Sequence, residues 1–578
     1  MPKEVSWTAR STPVTFVEPD SVLIRMLGSA ASLSGDVIES DLCMPLDPQA
    51  LKPSQFVKKW LDICLSQHDK CRMSFSGDEV EHRVTSMAPR RLLRVVPAME
   101  EGSPPAIQLV EVEKNSGFAV RYAALSHCWG PPDRRPPCTL RGNLAHHEEG
   151  IPWATLSQTF KDACTLCVDL HVDYLWIDSL CIIQDDPIDW ETEAAIMGRT
   201  YEEALFVIAA SAATDSSQGL FGVRLKDDFA PVSYKGELHG GVYAYTSRSP
   251  QYFVENGPLN TRAWVLQEYV LARRTAHFTK WGIVWTCSRD PAMGVTEYSG
   301  GRGSVHAIPY SWANMVRDYS RRGLTYKSDK LIAIRGLESS WGRRHGKTPH
   351  YGLFLEDMPQ CLRWLWSGHG NHKLVRDVDG VPSWSWASVT GRIDFVMSEN
   401  EEATSGMSVA CGRIRPSDQF GLSKVLTFES SLVKEVDTVV GPFDCVPSYI
   451  EDLRAIDPQS DALRHPAPRE TSWCHHTNHY EQYHLLVDRR QGNVGWCAFD
   501  GMVRTAGPIS CLPLVKESVR PWYMPPVDTA EPLYLWCLFV RRVEPEDAER
   551  AVYGRVGWGR ILVPSWIEGE PRLDISLV

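Results

Sequence analysis

The stretch 173–186, DYLWIDSLCIIQDD, limits the fold of this chain more than any other. Two short apolar runs, 174–177 and 180–183, bracket a single carboxylate, Asp178, and two more acids, Asp185 and Asp186, follow. A short run that is apolar on both faces predicts a fully buried strand of a parallel sheet. Ligands of open α/β sheets bind beyond the carboxyl ends of such strands. Asp178 is therefore a candidate for a pocket wall, whereas Asp185 and Asp186 suit turns and helix caps.

The neighbouring sequence repeats a strand–helix rhythm. The stretch YAALSHCWG (122–130) predicts a strand ending in a turn, and the following PPDRRPP cannot continue regular structure. Leu156, Phe160, Ala163, Cys164 and Cys167 predict an amphipathic helix over 156–170, with Thr155 and Gln158 in a capping-box pattern. Asp189 is expected to cap the next helix, and 205–210 reads as a buried strand. Residues 260–274 predict one long helix, capped by Asn260 or Thr261 and ending on Arg273 and Arg274, with a strand at 282–287. Upstream, 54–68 predicts a helix capped by Ser54, and 91–96 and 107–112 predict strands. Strands alternating with helices at this spacing predict an α/β domain on a parallel sheet.

The pattern changes after residue 290. SGGRG (299–303) is a flexible link, and helices are expected at 312–321, 328–337 and 356–366. From PSWSWAS (382–388) onward strands dominate. The resulting division is a leader and helical/strand flank at 1–115, an α/β domain at 116–290, and a mixed helical, then β-rich C-terminal region at 291–578. Residues 1–50 are weakly patterned and expected to pack loosely.

A net charge of −12 argues against a general nucleic-acid binder, whose affinity rests on neutralising phosphates. No apolar run reaches the ~18–20 residues of a membrane helix, and no signal-peptide pattern opens the sequence. A cytoplasmic protein with no membrane partner is expected, its 16 cysteines mostly reduced and buried.

Several constellations invite chemistry. Cys64, His68 and Cys71 suggest zinc, but the spacing matches no standard ligand pair, so a helix end with buried thiols is expected and no metal. The patch of Cys474, His475, His476, His479 and His484 also lacks a metal spacing. The 342–348 stretch GRRHGKT is one residue short of a phosphate-binding loop. Ser126, His127, Cys128 and Asp178 contain the residue types of a nucleophile triad, yet adjacent residues on a strand face opposite sides. Glu268 is sharper. It lies four residues after Trp264, on one helix face with an indole, where partial desolvation raises a carboxyl pKa. The plainer alternative is an ion pair with Arg262 or with an arginine from elsewhere in the chain.

The blocks YAALSHCWG (122–130), LSQTFKDAC (156–164), YLWIDSLCIIQDD (174–186), DWETEAAIMGRTYEEA (189–204), GLF (219–221) and RAWVLQE (262–268) together resemble the HET domain, the heterokaryon-incompatibility family of filamentous fungi. Ala263 stands where the family usually has Gly, and His127 where Tyr is common. The resemblance implies non-self recognition and programmed cell death. It also implies a TIR-like, flavodoxin-like parallel sheet, because HET domains are remotely similar to TIR domains. Some TIR domains cleave NAD with a Glu four residues after a helical Trp, a spacing that Trp264 and Glu268 reproduce. On that reading Glu268 is catalytic, Ser126, Trp129, Asp178, Arg262 and Trp264 bind substrate, and NAD or a related nucleotide is substrate rather than cofactor. The alternatives are a non-catalytic module that assembles with itself or with other incompatibility proteins, and a different enzyme on the same fold.

Overall fold

The computed structural model describes residues 52–80, 89–100, 102–112, 120–221, 229–232, 242–245, 250–280, 282–288, 295–296, 311–366, 380–395, 407–409, 411, 413–417, 423–440, 484–488, 492–499, 509–518, 533–543, 551–561 and 565–578. The leader 1–50, the 299–303 link and all of the His-rich patch except His484, which opens a strand at His484–Asp488, lie outside the described residues.

Helix α1 (Pro53–Gln67) leads into strands β1 (Arg91–Val96), β2 (Ala106–Glu111) and β3 (Tyr122–Ser126). The short helix α2 (Leu144–Glu149) precedes α3 (Gln158–Asp169), β4 (Tyr174–Ile177), the single turn α4 (Asp178–Cys181), α5 (Pro187–Glu203) and β5 (Phe206–Ala209). A hairpin of β6 (Phe229–Val232) and β7 (Val242–Tyr245) follows, then α6 (Pro250–Glu255), α7 (Trp264–Val270), β8 (Arg274–Phe278), β9 (Ile283–Cys287) and β10 (Val295–Thr296). Eight strands form one sheet in the order β10-β9-β8-β5-β3-β4-β1-β2.

The four inner strands, β4, β3, β5 and β8, run parallel. Numbered in chain order, they lie 2-1-3-4 across the sheet. The chain steps one way from β3 to β4 and back the other way to β5. Right-handed crossovers then put α3 and α5 on opposite faces, which is why these strands are apolar on both sides. Helix α1 joins α3, and α7 joins α5.

The sheet is mixed, which corrects the expected all-parallel arrangement. β1, β2, β9 and β10 add antiparallel edges. Other differences are local. The apolar run after Asp178 leaves the sheet as α4, where Arg91 Nε satisfies the Cys181 carbonyl at 2.9 Å. Ser54 lies inside α1 and does not cap it. Helix α3 has no side-chain cap: Gln158 Nε2 donates to Asp162 Oδ1 at 2.7 Å, and Thr155 ends a separate 3-10 turn. Asp186, not Asp189, caps α5, accepting from the amides of Ile188 and Asp189. The single helix expected at 260–274 is a 3-10 turn (Pro258–Thr261), then α7, then the start of β8. Arg273 does meet carbonyls at a helix C-terminus, but those of Glu202, Glu203 and Ala204 at the end of α5.

Downstream, α9 (Ile332–His345) packs over α5 and α7, and residues of α8 (Trp312–Tyr319) and α9 share a core with Leu266 and Leu271. The 342–345 part of the phosphate-loop lookalike belongs to α9, which Gly346 ends at φ 63°. The helix expected at 356–366 is only one turn, α10 (Met358–Cys361), before a strand at Trp364–Trp366. PSWSWAS is a turn with a 3-10 helix rather than a strand. Its fully buried Trp384 and Trp386 need indole acceptors and find them in the carbonyls of Lys424 and Gly352.

The C-terminal β-rich region closes on itself. Strands Lys434–Val440, His484–Asp488, Gly492–Phe499, Ala551–Ile561, Leu533–Arg542 and Ile509–Ser518 pair in an antiparallel ring. Leu486, Cys497, Cys511, Phe539 and Ile561 share a buried cluster there, with Trp566 and Ile567 packed into it. Among the described residues no helix is long and apolar enough to cross a membrane.

Candidate functional site

The carboxyl ends of β3 and β4 carry Ser126 and Asp178, on strands whose interiors are apolar. β3 is the strand from which the chain steps in both directions, the position where open α/β sheets leave a crevice. Ser126 ends β3, and Asp178 directly follows β4. Alternation along β3 sends Ser126 and His127 to opposite sides, and each finds its own acid.

Ser126 Oγ donates to Glu268 Oε2 at 2.5 Å, and both residues are buried. Glu268 comes from α7, whose other face packs on α9. Burial pushes the Glu268 carboxyl above its ordinary value, against the opposing pull of Arg262 and the Ser126 hydrogen bond. Tyr201 of α5 donates to the Leu125 carbonyl at 3.0 Å, and burial, with the Glu268 charge nearby, raises its phenol pKa well above normal.

His127 packs edge-on against Phe160 of α3 and pairs through Nε2 with Asp178 Oδ1 at 3.0 Å. Trp129 Nε1 donates to the other oxygen of Asp178 at 2.7 Å, and the Ser179 amide donates to Oδ1 at 2.7 Å. Burial alone would raise Asp178, but His127, Arg262 and Trp129 outweigh it and hold this carboxyl below its ordinary value. Two carboxylates on neighbouring elements are thus driven apart, one toward protonation and one toward ionisation.

Arg262 bridges the two halves by donating from Nη1 to the His127 carbonyl, with its charge acting on both acids. The Ser126–His127–Asp178 triad is not assembled, because Ser126 bonds to Glu268 and His127 bonds to Asp178. Of the residues expected to line the site, Ser126, Trp129, Asp178 and Arg262 gather with Glu268. Trp264 does not join them: it makes a T-shaped contact with Trp190 of α5, with ring centroids 6.4 Å apart. The pairing role of His127 and the backbone role of Tyr201 are not legible in the sequence: the partner of His127 lies 51 residues away, and Tyr201 sits on an apolar helix stripe.

A cavity of about 20 Å³ adjoins Ser126 and Glu268, bounded further by Ser211, Leu259, Asn260 and His277. It is large enough for a water molecule. His277 on its wall is held far down, at about 3, by burial, so its imidazole is neutral and bonds to Ser211 and Thr286.

Residues 122–268 match the family model described as Heterokaryon incompatibility protein (HET). The match opens on the first residue of β3 and closes on Glu268. A search of curated proteins and a search of solved structures each return no match.

Proposed function

The chain carries a HET domain over residues 122–268, and on that premise we propose a cytoplasmic effector of fungal non-self recognition whose Glu268 cleaves the N-glycosidic bond of NAD or a related nucleotide. The observation that carries this reading is the buried Ser126–Glu268 pair at the carboxyl end of the strand where the sheet order turns. The 2-1-3-4 order of the parallel strands supports a flavodoxin-like, TIR-like core. In such a reaction nicotinamide leaves through an oxocarbenium-like state on the ribose, and a carboxylate beside it stabilises the positive charge. On this reading Ser126 orients Glu268, Arg262 favours its ionised form, and Asp178 with Trp129 would bind the ribose and base of the substrate. The cavity beside Glu268 admits water but not a sugar. On this reading the cavity wall, to which Leu259 and Asn260 of the Pro258–Thr261 turn belong, opens to admit substrate.

The test is to incubate the purified full chain with NAD and follow nicotinamide by chromatography. Release that disappears in Glu268→Gln supports the proposal. No release over a wide range of protein concentration overturns it, and release that survives Glu268→Gln moves the active site elsewhere. The water-sized cavity favours a second reading, in which Glu268 is a structural acid and the domain signals by self-assembly. A chain that stays monomeric by light scattering at all concentrations counts against that alternative.

A further inference from the structure

Away from the Ser126–Glu268 pair, the opposite face of the sheet gathers four ligand-type side chains. The last turn of α1 supplies Cys64, and His68 follows it as the residue that ends the helix. A 3-10 turn, Asp69–Arg72, then supplies Cys71. The amide of His68 returns to the Cys64 carbonyl and that of Cys71 to the His68 carbonyl, so the chain folds back twice over a few residues. The fourth side chain, Cys287, ends β9 and lies 219 residues from His68 in sequence.

We propose that Cys64, His68, Cys71 and Cys287 are the ligands of a structural zinc ion that fastens α1 to the β8–β9 edge of the sheet. The donor atoms all lie within 4.8 Å of one another, and all four residues are buried. His68 Nδ1 is 3.3 Å from Cys64 Sγ, 3.6 Å from Cys287 Sγ and 3.9 Å from Cys71 Sγ. A tetrahedral ion with Zn–S about 2.3 Å and Zn–N about 2.0 Å separates its nitrogen and sulfur ligands by about 3.5 Å. Buried thiols that only pack have no reason to converge on one imidazole nitrogen, whereas a closed Cys3His shell requires it.

The surroundings suit the ion. Trp285 Nε1 donates to Cys64 Sγ at 3.3 Å, the kind of outer hydrogen bond that orients a metal-bound thiolate. Three thiolates leave a net negative charge on Zn²⁺, and the fully buried Arg274 acts on Cys71 with a compensating positive charge. Binding sends the three thiol protons to solvent and leaves His68 neutral. The C-x3-H-x2-C spacing looked unlike a zinc motif because its fourth member arrives from a distant strand.

Metal analysis of the full-length chain, purified without chelator, tests this directly. One zinc per chain is expected, and replacement by Co²⁺ is expected to give the intense thiolate-to-cobalt absorption of a tetrahedral site. Cys287→Ser should lose the zinc. Because that variant can also disturb folding, Trp285→Phe provides a gentler probe: its zinc affinity, by competition with a chromophoric chelator, should fall about 10–100-fold. Cysteine alkylation mapped by mass spectrometry should show Cys64, Cys71 and Cys287 protected until a chelator is added. Substoichiometric zinc with no thiolate-to-cobalt band after anaerobic reduction overturns the proposal. So does iron in place of zinc, or a disulfide among the three cysteines.

Discussion

Ser126 and Glu268 share a 2.5 Å hydrogen bond across 142 residues of chain. The bond ties the last residue of β3 to the middle of α7 and leaves a carboxyl group buried beside a water-sized cavity. In the same crevice, Asp178 has the opposite electrostatic character, with a histidine and an indole on its two oxygens. The consequences for stability therefore differ in sign between the two acids.

Glu268 is raised by burial. Its folded state holds a proton more tightly than the unfolded chain does, whose Glu value is about 4.3. Its contribution to stability is fully present below that value and is lost as pH rises through the raised folded value. Glutamine cannot ionise, so Glu268→Gln is expected to melt at or above the wild-type temperature at neutral pH. The difference should vanish in acid. Thermal melts followed by circular dichroism across that range check this, and a variant clearly less stable than wild type at neutral pH refutes it. A stabilised but inactive Glu268→Gln would fit a residue kept for chemistry at a cost in stability.

Asp178 works the other way. Its folded value is depressed by His127, Arg262 and Trp129 despite burial. Its stabilisation is present above the unfolded Asp value of about 3.9 and is lost as pH falls through the folded value. Asp178→Asn is expected to cost about 1.5–3 kcal/mol at neutral pH, the worth of hydrogen bonds to a charged group. Urea titrations at neutral and acid pH should show the cost shrinking in acid, and an equal cost at both would disprove the assignment.

Much of this crevice was legible in the sequence because strand ends and apolar periodicity are local signals. The inner strands, the helical position of Glu268 and the separation of Ser126 from His127 follow from period-two and period-3.6 patterns. Long-range choices were not legible. Arg273 and Arg274 look like a helix end in sequence, yet they serve the C-terminus of α5 and the start of β8. Asp189 looks like a cap, yet Asp186 takes that role and frees Asp189 for a buried partner from β1. Cys287 cannot be linked to Cys64 without knowing that β9 packs beside α1. In each case the deciding contact comes from an element far away in the chain.

That buried partner of Asp189 is Arg91, and the pair makes a sharp stability prediction. Arg91 also donates to the Cys181 carbonyl at 2.9 Å, and Asp189 accepts from the Ile183 amide at 2.8 Å. The two side chains thus stitch β1, α4 and α5 together with almost no exposure. Asp189→Ala leaves a buried guanidinium uncompensated and is expected to cost about 3–5 kcal/mol. Chemical denaturation measures it. A loss below about 1 kcal/mol, the scale of an exposed pair, would show that the bridge is not buried in solution.

The contact between α5 and α9 makes a prediction whose sign opposes helix propensity. Gly198 of α5 and Gly336 of α9 approach so closely that a methyl group added to Gly198 would lie 2.8 Å from the Gly336 Cα. Gly→Ala inside an exposed helix normally stabilises by about 0.5–1 kcal/mol. Here the obstacle is backbone, which cannot rotate aside, so Gly198→Ala is expected to destabilise by about 1–3 kcal/mol. Gly336→Ala meets a second obstacle, Gln267 Oε1 at 2.7 Å, and Gln267 immediately precedes Glu268. Overpacking at Gly336 is therefore expected to push on Gln267 and weaken the Ser126–Glu268 hydrogen bond, whereas Gly198→Ala reaches α7 at its C-terminal end, through Leu271 Cδ1 at 3.0 Å, away from Glu268. Melting temperature alone would show both variants destabilised. Comparing their nicotinamide release under conditions where both remain folded separates the effects: Gly336→Ala should lose more than Gly198→Ala, and equal loss would mean that the α9 contact does not reach the site through Gln267.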